Sequence, residues 1–227
     1  MFYLLLVKFK LSHSPFWLSI IFLFLPARWL VTRSVGSPEP LFIFAILASF
    51  YFFKSAFDKP ENNLLLKKKS VTLDFFLAGV FGSLAQLTKT PGILLFAAFG
   101  AYLLFKWVKT KKIVWQAWPL VIIPLSILPV FWLYQVQTGN FFAYFSSGDN
   151  FHLILSPFQS FNMERSWLGD FWLEDMIYIY LLGALSVVFL FKKRLYDLAS
   201  FAVIFFTATL FIAHRDLSRY SLPLVPF

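Results

Sequence analysis

Apolar residues run in long blocks along this chain, and the polar residues gather in short clusters between them. A bilayer core about 30 Å thick needs about 20 apolar residues as a helix, with about 17 to 25 common. Backbone polar groups inside lipid must satisfy one another, so such blocks are expected to be helical. The blocks predict spans over 15–30, 40–53, 73–87, 91–108, 113–136, 175–191 and 198–213, with an eighth opening near 220 and running to 227. The fold class expected is all-α: a polytopic α-helical integral membrane protein with about 7–8 transmembrane helices. It forms a single transmembrane domain over 1–227, with one longer outer loop over 137–173. The evenly alternating segments of an outer-membrane barrel are absent.

Two details refine the pattern. The apolar stretch 73–108 is too long for one helix, since its residues would extend about 54 Å at 1.5 Å each. It is broken by Thr88-Lys89-Thr90-Pro91-Gly92, a charged Pro-Gly cluster, so two spans joined by a tight turn are expected. Span 113–136 carries Pro119, Pro124 and Pro129 inside it, and span 15–30 carries Pro26.

Charge then orients the spans. Fourteen basic residues lie on one set of segments, as Lys8 and Lys10; Lys54, Lys59 and Lys67 to Lys69; Lys106, Lys109, Lys111 and Lys112; and Lys192 to Arg194. The alternate segments hold six: Arg28, Arg33, Lys89, Arg165, Arg215 and Arg219. The positive-inside rule puts the Lys-rich set in the cytoplasm, in a cell membrane, where it also meets lipid headgroups. Seven of eleven acids fall on the other, outer side, so chemistry is expected there.

Composition removes the other classes. The chain is 59% hydrophobic and 14% charged, against about 25% charged in an ordinary soluble domain. A soluble enzyme and a disordered chain are excluded. The net charge of +9 is dispersed between spans rather than gathered in one patch, so no nucleic-acid partner is expected; membrane lipids are. There is no cysteine, which excludes disulfides and thiol chemistry. Phosphate-loop, dinucleotide, zinc-protease and serine-hydrolase motifs are missing, and no cofactor is indicated. His13, His152 and His214 are far apart, and no metal site is assigned.

Candidate residues lie in the outer segments. Glu39, in Gly36-Ser37-Pro38-Glu39-Pro40, is either a carboxylate at a helix N-terminus or a contact to substrate or an outer Arg. Lys89 precedes Pro91-Gly92, which opens the next helix; it is either part of an anion site or a Lys reaching the headgroups. His214-Arg215-Asp216-Leu217-Ser218-Arg219-Tyr220 is the densest polar stretch. Its Arg215 and Arg219, with Tyr220, either hold a phosphate or form an interfacial belt. The outer loop is rich in aromatics, among them Phe141, Phe142, Tyr144, Phe145, Trp167 and Trp172, which suits short interfacial helices. Its acids Glu164, Asp170, Glu174 and Asp175 either bind a cation or are solvated.

Four stretches carry a resemblance. These are Leu25-Pro26 followed by Gly36-Ser37-Pro38-Glu39-Pro40-Leu41-Phe42; Leu87-Thr88-Lys89-Thr90-Pro91-Gly92-Ile93-Leu94-Leu95; Thr138-Gly139-Asn140-Phe141-Phe142-Ala143-Tyr144-Phe145; and Arg219-Tyr220-Ser221-Leu222-Pro223-Leu224-Val225-Pro226. In order and spacing the chain resembles the GT-C class of multi-spanning glycosyltransferases, in its branch of GPI mannosyltransferase-like and RgtA/B/C/D-like proteins. Pro38 intrudes between Ser37 and Glu39, and Lys89 stands where the class often has Arg.

The resemblance implies transfer of a sugar, mannose among the candidates, from a polyprenyl-phosphate-linked donor to a lipid, glycan or protein at the outer face. Lys89, Arg215, Arg219, Tyr220 and Glu39 are then expected to bind substrate. No residue here is expected to be catalytic, because the acidic loop that supplies the general base in this class precedes the matched region. Both ends look truncated, so an N- and C-terminally shortened fragment is expected. The alternatives are a transporter or lipid flippase, which the near absence of charge inside the spans disfavours, and a non-catalytic membrane subunit.

Overall fold

The computed structural model describes residues 1–24, 34–58, 64–146, 155–162, 164, 170–214 and 217–227. Among the described residues the elements are helices, and no strand forms. Glu39–Phe57, Lys69–Thr88, Thr90–Thr110 and Trp115–Thr138 are long and apolar enough to cross a membrane, and Pro15–Phe24, Met176–Lys192 and Tyr196–Leu210 are shorter apolar helices. The protein is an all-α polytopic membrane protein. It divides into two compact units, Met1–Ser126 with Pro226 and Ile127–Val225 with Phe227.

The first unit contains α1 (Phe2–Lys8), α2 (Pro15–Phe24), α3 (Glu39–Phe57), α4 (Leu64–Thr88), α5 (Ile93–Thr110) and α6 (Ile122–Leu125). A 3-10 segment, Trp115–Val121, precedes α6. Helix α3 opens with Glu39 in its first turn and Pro40 just inside, where a missing N–H costs nothing and a carboxylate complements the helix dipole. It is the central post, with Phe42, Ile46, Phe50 and Phe53 all buried. Its aromatic residues interlock with both neighbours. Phe53 stacks on Phe99 of α5 at 4.0 Å and meets Phe75 of α4 edge-on at 5.7 Å. Phe50 also meets Phe99 edge-on, at 5.1 Å.

Helix α4 approaches its neighbours through small residues, since lipid supplies no hydrophobic drive and close backbone packing must replace it. The Ser49 hydroxyl donates to the Ala78 carbonyl at 2.7 Å. Gly79 lies so near the 3-10 segment that a Cβ there would sit 2.8 Å from the Pro119 carbonyl oxygen, and one at Gly82 would strike the Ile123 side chain. Gly100 on α5, by contrast, faces open space. Gly79→Ala is therefore expected to cost about 1–3 kcal/mol through overpacking. Gly100→Ala should be neutral or stabilising by up to about 1 kcal/mol. Thermal unfolding in detergent separates the two, and equal midpoints would show that the α4–Pro119 approach is loose.

The antiparallel run of α3 and α4, with α5 returning alongside, sorts charge to two ends of this unit. At the α3 C-terminus, Lys8 donates to the Ser55 hydroxyl and lies 4.2 Å from the Tyr51 ring. Lys54 lies 5.4 Å from the Phe9 ring, and Lys106 of α5 sits 3.7 Å above the Phe57 ring. Glu39 and Lys89 occupy the opposite end.

The second unit contains α7 (Leu128–Thr138), α8 (Ala143–Ser146), α9 (Asp170–Lys192), α10 (Tyr196–Leu210) and α11 (Leu217–Ser221). Helix α7 stops at Gly139, whose φ of 71° is the left-handed conformation that glycine adopts freely. Phe141, Phe142 and Phe145 gather around Phe131 with ring centroids 5.4, 6.0 and 5.6 Å away. Helices α9 and α10 form a hairpin in which Gly183 makes room for Phe206. Met176, Tyr180, Ile212 and Leu217 make its core, with Phe161, Phe206 and Tyr220 against them. The segment before α9 is stitched to this core: the Ser160 hydroxyl donates to the Ile212 carbonyl at 2.6 Å, and the Phe158 N–H to the Leu210 carbonyl at 2.8 Å.

Several elements differ in extent from their sequence expectation. Helix α4 begins at Leu64, well before residue 73, because Leu and Lys favour helix and carry it past the apolar stretch. The expected span 113–136 is not one continuous α-helix. It runs as the 3-10 segment, then α6, then α7, because each internal proline removes a hydrogen bond to the preceding turn. The stretch from residue 220 forms α11 and a 3-10 turn, Leu222–Leu224, ending near Pro226. Residues 25–30 of the first expected span lie outside the described residues.

Candidate functional site

The turn between α4 and α5 is built by its sequence. Lys89 leaves the helix with extended backbone, φ −150° and ψ 135°, while its N–H still donates to the Ala85 carbonyl at 2.9 Å. Thr90–Gly92 make one 3-10 turn, closed by the Gly92 N–H donating to the Lys89 carbonyl at 2.9 Å. Gly92 rests directly on α4: a Cβ there would collide with the backbone of Ala85 and Gln86, so no other residue fits without moving the turn.

This geometry aims Lys89 across to α3. Its ammonium donates to Glu39 Oε1 at 2.7 Å, joining residues fifty positions apart. Glu39 is only 1% exposed and Lys89 is 19% exposed. The pair is a charge-assisted hydrogen bond withdrawn from water, of the kind that is strong when intact. An ammonium carries three donors, one of which the contact to Glu39 uses.

Two further polar groups lie in this region. Ser37, two residues before Glu39, has a buried hydroxyl with no hydrogen bond among the described residues. Gln86, one turn before Lys89, is 6% exposed, and its buried Oε1 likewise accepts no hydrogen bond there. Sequence reasoning passed over both. A lone amide on the same stripe as Ala78, Gly79, Gly82 and Ala85 was the available signal for Gln86.

Arg219 and Tyr220 belong to the second unit, on α11. Arg219 lies in the last turn of that short helix and is partly buried. The Tyr220 ring packs against the Met176–Tyr180 core and meets His214 edge-on at 5.2 Å. Arg215 and Asp216 lie outside the described residues, as do Leu25-Pro26 and the side chains of Asp170, Glu174 and Asp175. The structure thus joins Glu39 to Lys89 and places Arg219 beside Tyr220. Among the described residues no three His, Asp or Glu side chains come together in a manner that could hold a metal.

No curated protein and no solved structure matches the chain. A family model does match, that of dolichyl-phosphate-mannose-protein mannosyltransferase, over residues 1–145. That stretch contains α1 to α7 and the whole Glu39–Lys89 end of the first unit. It covers well over half of the sequence, so the chain belongs to the dolichyl-phosphate-mannose-protein mannosyltransferase family, a family of membrane glycosyltransferases.

Proposed function

We propose that the protein takes part in transfer of mannose from a polyprenyl-phosphate donor to a lipid, glycan or protein hydroxyl at the outer membrane face. The family match over residues 1–145 carries this reading. The charge distribution of the first unit supports it. Lys8, Lys54 and Lys106 share one end, suited to the cytoplasm, and the Glu39–Lys89 pair lies at the other.

In such a transfer the acceptor oxygen attacks the anomeric carbon, and the bond from that carbon to the phosphate oxygen breaks. The acceptor proton passes to a general base, and polyprenyl phosphate leaves with its added negative charge. Groups that meet this charge lower the barrier most when they are fixed in place beforehand. Lys89 is the described residue best placed for that role, because Glu39 holds its ammonium. Arg215, Arg219 and Tyr220, in the second unit, are separate candidates for binding phosphate. Glu39 is not assigned as the base, since its carboxylate is already engaged by Lys89.

The test is donor binding by the purified chain in lipid nanodiscs. Saturable binding of polyprenyl-phosphate-mannose, displaced by polyprenyl phosphate but not by free mannose, is the expected result. Movement of the lipid across a vesicle bilayer without such competition would favour a flippase instead.

A further inference from the structure

Gln86 is a buried amide whose acceptor is unused. It lies on the stripe of α4 formed by Phe75, Ala78, Gly79, Gly82 and Ala85, which faces the packed interior of the first unit. A structural glutamine at such a position would normally reach a neighbouring N–H or hydroxyl, because leaving a buried acceptor unpaired costs about as much as losing a hydrogen bond. Here the Gln86 Oε1 accepts no hydrogen bond among the described residues. Its place in the helix is one turn before Lys89, the residue whose ammonium is fixed by Glu39.

Ser37 is the second observation. Its hydroxyl is buried and unbonded among the described residues, on the segment that leads into Glu39. The segment before Glu39 and the last turns of α4 before Lys89 thus each carry a buried polar atom with no hydrogen bond among the described residues. Such groups await a ligand with complementary donors and acceptors. A carboxylate or phosphate has no proton to give the Gln86 oxygen. A sugar hydroxyl donates to that oxygen and can accept from Ser37.

We propose that Gln86 and Ser37 line a sugar-hydroxyl subsite beside the Glu39–Lys89 pair, with Gln86 the residue that reads the sugar of the donor. This rests on the donor-binding reading above and deepens it. Lys89 meets the phosphate, and Gln86 distinguishes a phosphate that carries a sugar from one that does not. Both residues come from the same end of α4.

The experiment measures, for the chain in nanodiscs, the ratio of the Kd for polyprenyl phosphate to the Kd for polyprenyl-phosphate-mannose. A ratio taken within one variant cancels any difference in folded fraction. Wild-type protein should favour the mannosylated lipid. Gln86→Met keeps size and loses the acceptor, and should lower the ratio about tenfold, as expected for one lost hydrogen bond at a site built for it. Gln86→Glu restores an acceptor oxygen and should keep most of the preference. An unchanged ratio in Gln86→Met would overturn the proposal, whatever happens to the absolute affinities. A wild-type ratio of one would overturn it while leaving donor binding intact, and wild-type binding of neither lipid would remove the donor reading and this inference together.

Discussion

Replacing Lys89 by methionine is expected to lower unfolding free energy by about 3 kcal/mol, because it removes the ammonium bonded to a buried carboxylate. Glu39 is 1% exposed, so water cannot replace the lost ammonium. For a chain of this size the loss corresponds to a fall in melting midpoint of about 6–12 °C. Glu39→Gln removes the charge but keeps an acceptor, and should cost less. The informative protein is the double variant Glu39→Gln with Lys89→Met. The double variant holds no unpaired buried charge, so it should recover part of the stability lost in Lys89→Met, the buried amide of residue 39 accounting for the remainder. Thermal unfolding in one detergent measures all four corners of the cycle. If the two single losses simply add, the pair contributes no coupling and the turn is held by Gly92 and the 3-10 bond alone.

The second large effect is on transfer. In membranes that carry out the reaction, Arg219→Ala should reduce mannosyl transfer by about 100-fold, the usual cost of removing one fixed charge partner from a developing anion. Expression should be unchanged, because the core beneath α11 is made by Met176, Tyr180, Ile212 and Leu217 rather than by Arg219. Tyr220→Phe should change transfer only a few-fold, since the ring packs against that core and against His214 while only the hydroxyl is lost. Near-normal transfer by the Arg219 variant would remove that residue from the site.

The helices were legible because they are long apolar blocks, and the α4–α5 turn because Pro91 and Gly92 cannot continue a helix. The limits of α4 were less legible. Apolar composition marks what lipid can cover, whereas helix propensity decides where the backbone stops, and Leu64 to Lys69 satisfies only the second. The 3-10 course of Trp115–Val121 was signalled by Pro119 but not specified by it, since the close approach of Gly79 also fixes that backbone. The family motifs pointed separately to Glu39 and Lys89. Their union could not be read from either motif, because it depends on α3 and α4 lying antiparallel and on the extended backbone at Lys89. Gln86 was missed for a related reason: an amide in an apolar run becomes notable only once its lack of a bond is seen.

The burial of α3 has a thermal consequence. Its candidate span is 61% buried in the structure, against 22% for the span ending at Thr110, and its contacts are largely ring on ring. When these helices separate within a bilayer, the exposed rings meet acyl chains rather than water. The large heat-capacity change of unfolding comes from apolar hydration. Dispersal of α3, α4 and α5 in lipid should therefore carry little of it. The enthalpy holding Phe53 against Phe99 then stays nearly constant with temperature, and the first unit should have no stability maximum near room temperature and no tendency to come apart in the cold.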